Sequence, residues 1–152
     1  MTRTTVIFMA GIVTLAFCSQ TVGAATVCSG SSENLKCLEQ HFDELYTQNY
    51  EHFWVILNKS GDEARQCQSI KKTAEFLRLA RIKTGNAEFN EFFAKTIENL
   101  CVNSPLCFKK ASRFFDKETQ TNLAAMFDNP LFFDREDLRR AGCVLPKRLE
   151  RF

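Results

Sequence analysis

Cysteine placement restricts this chain more than any other feature. Of seven cysteines in 152 residues, Cys18 lies in an apolar N-terminal stretch; the other six are Cys28, Cys37, Cys67, Cys101, Cys107 and Cys143. What those six do depends on compartment, and the N-terminus points to one. Arg3 is followed by an apolar run over 6–17 (VIFMAGIVTLAF), then by small residues leading to Val22-Gly23-Ala24 and Gly23-Ala24-Ala25. A basic start, an apolar core of about a dozen residues and small residues at the cut are the marks of a secretory signal. A membrane-spanning helix needs about 20 apolar residues, and Ser19, Gln20 and Thr21 interrupt this one too early. Residues 1–24 are therefore expected to be a signal peptide, cut after Ala24 or Ala25. The mature product is expected to be secreted and extracellular, with no stable membrane span.

Cleavage removes Cys18 and leaves an even set of six. In an exported chain such a set reads as a disulfide framework, with about 15 possible pairings. Reduced core cysteines fit an oxidising compartment poorly. The lack of any Cys-x-x-Cys pair argues against zinc. Three bridges would each add about 2–4 kcal/mol, mainly by restricting the unfolded chain. Asn58-Lys59-Ser60 is a glycosylation sequon in a eukaryotic host.

Residues 25–152 have the length of one domain with one core. They show no linker, repeat or alternating strand pattern; their apolar residues recur at helical spacing. Ser31 or Ser32 is placed to cap a first helix carrying Leu35, Leu38, Phe42 and Leu45. Phe53, Val55, Ile56 and Leu57 extend the apolar character to an expected break at Ser60-Gly61. Asp62 is then expected to cap a helix bearing Ala64, Cys67, Ile70, Ala74 and Leu77, ending at Gly85. Asn86 opens the cleanest amphipathic segment, with Phe89, Phe92, Phe93, Ile97 and Leu100 on one face. Pro105 starts a short helix, Asp116 opens another that stops at Asn129-Pro130, and Asp134 and Gly142 bracket a last one. The expectation is an all-α, disulfide-stabilised bundle of five or six helices.

Fifteen phenylalanines, thirteen of them beyond residue 24, are an unusual load. Most fall at helix-periodic positions and so read as core; a ligand cavity or an exposed contact face is the sharper alternative. Phe132 and Phe133, in the Pro130-Leu131-Phe132-Phe133 stretch, fit the period poorly and are the candidates for an exposed contact.

Charge gives little direction. Without Arg3 there are nineteen basic and eighteen acidic residues, with the acidic excess over 28–67 (seven against three) and the basic excess beyond it (sixteen against eleven). Ordinary solvated helix faces account for that distribution. Arg139, Arg140, Lys147, Arg148 and Arg151 are the densest basic group; they lack the aromatic interleaving of a nucleic-acid platform, and no nucleic-acid partner is expected. On one continuous helix His41 and His52 would lie about 16 Å apart, too far to share an ion; His41 with Glu44 could ligate only weakly. No Gly-x-Ser-x-Gly, His-Glu-x-x-His or calcium loop is present, so neither catalysis nor a cofactor nor a metal is expected.

From Cys101 the chain reads CVNSPLCFKKASRFFDKETQTNLAAMFDN: two cysteines with five residues between them, an aromatic pair, an acidic helix opening, and a last cysteine downstream. Over this last third it resembles the microplusin type of secreted six-cysteine helical antimicrobial proteins of ticks; secreted cysteine-rich helical families of other invertebrates share the general character. The resemblance implies a bridged helical fold and a defence role. It does not carry over copper chelation, which that family performs through histidine-rich ends that this chain lacks. The 67–101 spacing also departs from that family, where the third and fourth cysteines lie close together.

The sequence thus suggests a non-enzymatic binding or effector protein that meets an extracellular protein partner. A carrier of small apolar ligands and an antimicrobial protein are the alternatives. N-terminal sequencing of the exported product should begin at Ala25 or Thr26; a product retaining residues 1–24 would refute the leader assignment.

Overall fold

The structure, a computed structural model, describes residue 28 and residues 34–143. The proposed leader, with its cleavage residues Ala24 and Ala25, and the capping candidates Ser31 and Ser32 lie outside the described residues. So do Lys147, Arg148 and Arg151. Among the described residues there are eight α-helices and no strand. They are α1 (Asn34–Gln40), α2 (Phe42–Gln48), α3 (Tyr50–Arg65), α4 (Ile70–Leu77), α5 (Ala87–Asn103), α6 (Pro105–Ala111), α7 (Lys117–Asp128) and α8 (Arg135–Arg140). Short 3-10 turns, Arg78–Arg81 and Ser112–Phe114, extend α4 and α6. The all-α architecture read from periodicity is the one observed.

The helix count exceeds five or six because the first apolar segment is articulated. His41 (φ −121°, ψ 32°) and Asn49 (φ −143°, ψ 58°) leave helical geometry. Backbone bonds meet at both joints: His41 N–H reaches Cys37 O and Leu45 N–H reaches His41 O, while Asn49 N–H reaches Leu45 O and Phe53 N–H reaches Asn49 O. The kinks keep Leu38, Phe42, Leu45, Phe53, Ile56 and Leu57 all on the buried side.

Two expected breaks are not where the sequence placed them. Helix α3 runs through Ser60-Gly61 to Arg65. Gly61 is there for space: a Cβ on it would sit 3.0 Å from Phe92 Cζ and 3.6 Å from Phe76 Cε2. Asp62 is consequently in the last turn of α3, paired with Arg65, and the cap of α4 is Ser69, whose Oγ accepts from Lys72 N–H. Likewise α4 ends at Leu77, well before Gly85, because the chain tightens into the 3-10 turn and is extended by Ile82.

Most of the other punctuation holds, although Asp134 stands at the start of α8 without a side-chain capping bond. Asn86 Oδ1 accepts from Phe89 N–H at 2.9 Å, and Asp116 Oδ1 from Thr119 N–H at 2.8 Å. Pro105 occupies the first turn of α6, where its missing N–H costs nothing. Gly142, with φ 78°, closes α8: its N–H reaches Arg139 O, and Cys143 N–H reaches Leu138 O. That is the pair of bonds of a Schellman turn. Cys67 (φ 51°) does the same for α3, with Gln68 N–H on Glu63 O, a left-handed position that glycine usually takes.

Among the described residues eight phenylalanines are buried: Phe42, Phe53, Phe76, Phe89, Phe93, Phe108, Phe115 and Phe127. Phe42 meets Phe53 and Phe89 edge-on at 5.1 and 4.8 Å, and Phe108 meets Phe127 at 5.5 Å. The phenylalanine load is mainly core packing. Disulfides Cys28–Cys37, Cys67–Cys107 and Cys101–Cys143 fix this core at its margins. The last two span 40 and 42 residues; loops of that size correspond to about 4 kcal/mol each on the chain-entropy account. Among the described residues no helix is long and apolar enough to cross a membrane.

Gly61→Leu should destabilise the fold by about 1–3 kcal/mol, the usual cost of overpacking, measured by chemical denaturation with the bridges intact. An unchanged midpoint would show that Phe92 yields freely.

Candidate functional site

Helix α7 ends at Asp128, and residues 129–134 cross to α8. An ion pair between Asp128 and Arg135 (2.7 Å) spans this crossing, and one side chain of α5 binds its middle. Glu98 of α5, only 2 % exposed, accepts the backbone N–H groups of Leu131 (2.8 Å), Phe132 (2.8 Å) and Phe133 (3.0 Å). Three successive amides are thereby satisfied inside the protein. Their side chains diverge: Leu131 is 64 % exposed and Phe132 41 %, while Phe133 is partly buried against the core. Of the two phenylalanines expected as an exposed contact, Phe132 is one; Phe133 instead anchors the turn. Leu131 joins Phe132 at the tip. The Lys95 ammonium lies 5.9 Å from the Phe132 ring centroid, within cation–π range.

Beside this tip is a cleft of about 340 Å³ between α5 and α7. Asn90, Ala94 and Glu98 line it from α5 at steps of four, so one helical face is presented. Asn122, Ala125 and Met126 line it from α7 and Asn129 from the end of that helix, Ala80 and Ile82 contribute from the segment before α5, and Leu131 comes from the tip.

A second groove, of about 520 Å³, is polar and runs past Arg81, Glu39, His41, Asp43 and Glu44. Arg81 sits 3.0 Å from Glu39 on α1, 2.8 Å from Asp116 and 3.8 Å from Glu118 at the start of α7. The Thr119 amide, then Arg81, hold the Asp116 carboxyl below its ordinary value; the bond to Asp116, then Glu39, raises Arg81. This cluster braces α1, the 3-10 turn and α7 against one another. On α2 and α3, the hydroxyls of Tyr46 and Tyr50 both donate to Glu88 Oε2, at 2.9 and 3.0 Å, and this bond raises the Tyr50 phenol.

The remaining sequence candidates are scattered. His41 lies at the α1–α2 joint, 3.2 Å from Glu44 Oε2, and Asn49 separates α2 from the helix that carries His52, so the two imidazoles do not share a helix. Among the described residues no three His, Cys, Asp or Glu side chains are grouped to hold a metal ion. Asn58 is exposed on α3. Arg139 and Arg140 pair with Glu136 and Asp137 one turn back. Glu98, the residue that organises the tip, was not singled out in the sequence: its partners lie 33 to 35 residues away.

Comparison with known proteins finds no matching family model, curated protein or solved structure.

Asp116→Asn keeps a capping side chain but removes the charge that faces Arg81. The lowered carboxyl of Asp116 adds stability that is fully present above its ordinary value of about 3.8 and disappears as pH falls through the lower folded value. Wild type should therefore be the more stable near neutrality, and the two melting curves should converge below that pH. A gap constant with pH would count against the charge.

Proposed function

We propose that this is an exported, non-enzymatic binding or effector protein that engages an extracellular protein through the tip formed by Leu131 and Phe132. The observation that supports it is the pinned tip. An apolar side chain contributes to an interface when it is presented rigidly, because little freedom is then lost on docking. Backbone amides that enter a dry interface without partners cost about 1–3 kcal/mol each. Glu98 meets both requirements, since it fixes the turn and satisfies three of its amides. Export accords with the leader pattern and with the three disulfides, which persist in oxidising compartments.

A photo-crosslinking residue at position 132, with one at exposed Val55 on α3 as control, tests the surface in extracellular fluid of the source. One protein captured from position 132 alone is expected, and its binding should weaken about tenfold or more in Phe132→Ala, the loss expected of an interface anchor. Equal capture from both positions, or none at micromolar protein, would overturn the assignment of the tip. Retention of the full-length chain inside the producing cell would overturn export.

A further inference from the structure

We infer that the cleft between α5 and α7 binds a small primary amine with an apolar body. This goes beyond the docking tip, because the ligand enters the cleft rather than covering Phe132.

Three observations converge. The cleft holds about 340 Å³, within the usual range for small-molecule sites of about 300–1,000 Å³. Much of its wall is apolar, from Ala80, Ile82, Ala94, Met126 and Leu131, which suits a hydrocarbon or aromatic body.

The polar groups on that wall include three amide oxygens that a donor can reach. Asn90, Asn122 and Asn129 each direct the amide NH2 to a backbone carbonyl, that of Thr84, Ala80 and Ala125 respectively. The amide oxygens are left as acceptors. A primary ammonium has three donors and no acceptor, which suits these oxygens; a carboxylate could use only the second N–H of each amide and would meet the Glu98 charge with the same sign.

The sign of the charge agrees. Glu98 is 2 % exposed and accepts on both oxygens from neutral backbone groups. It takes part in none of the ion pairs among the described residues. Lys95, one turn before it, is turned to the Phe132 ring instead. The Glu98 charge lies buried behind the cleft wall, where it is screened less than a surface charge. It favours a cation in the cleft without having to touch it.

The test uses the exported, disulfide-bonded chain and three probes of one shape: phenethylamine, phenethyl alcohol and phenylacetate. In an NMR titration phenethylamine should shift the side-chain amides of Asn90, Asn122 and Asn129 and the Met126 methyl, and the shifts should saturate. Phenylacetate should leave them in place, and the alcohol should bind more weakly than the amine. Glu98→Gln should weaken the amine about tenfold or more, the size of one charge-assisted interaction. Because that variant also loosens the tip, Ala125→Phe serves as a second one: it fills the cleft, keeps the charge, and should abolish the shifts with the melting temperature unchanged. Equal responses to amine and carboxylate would overturn the inference. So would shifts at Glu39, Asp43 and Glu44, which would place the amine in the Arg81 groove, and so would undiminished binding to the Ala125→Phe variant.

Discussion

Both long disulfides close on the C-terminal turn of a helix, and the rest of the fold depends on that. Cys67 is itself the left-handed residue that ends α3, and Cys143 is the residue whose amide completes the turn ending α8. A helix end carries unpaired carbonyls and frays first. A covalent link there fixes the stop, the direction of the following chain and the distance to a partner helix together. The partners are Cys107 on α6 and Cys101 near the end of α5. The helices α1, α2, α4, α6 and α8 have at most eight residues each. Alone they would be marginal in water, where isolated helices need about 12–15 residues. Their order comes from the core and from these bridges.

Helix α5 is the element on which the core and the candidate sites meet. One side of it supplies Phe89, Phe93, Ile97 and Leu100 to the core, and Cys101 supplies a bridge. The face through Asn90, Ala94 and Glu98 forms a wall of the cleft, and Glu98 binds the three amides of the 131–133 turn. A carboxylate buried without a cation is costly unless its lone pairs are filled. Here three backbone amides fill them, so the cost is offset by ordering a turn that has no secondary structure of its own. The exposed tip and the charge of the cleft are consequences of the same side chain.

Surface charge elsewhere does structural work. Arg81 gathers carboxylates from α1 and from the start of α7, and Asp116 serves at once as its partner and as the cap of α7. Pairs this exposed are worth little singly; their use here is to orient a 3-10 turn between two helices. His41 and Glu44 at the neighbouring joint belong to the same polar seam.

Local rules acting within a few residues were legible in the sequence alone: the helical period, the caps at Asn86 and Asp116, Pro105 at a helix start, Gly142 at a helix end, and the aromatic core. Each is decided by the geometry of one turn of chain, so the residues that determine it are neighbours. Tertiary structure decided what depends on residues far apart. Gly61 reads as a breaker in sequence, yet α3 passes through it because the rings of Phe92 and Phe76 occupy the space a side chain would need. The pairing of six cysteines is a choice among many that only the packed helices select. Phe132 and Phe133 are identical in sequence terms and differ in exposure because Glu98, more than thirty residues away, sets the turn between them. Such contacts leave no periodic trace, since a single buried side chain on another helix makes them.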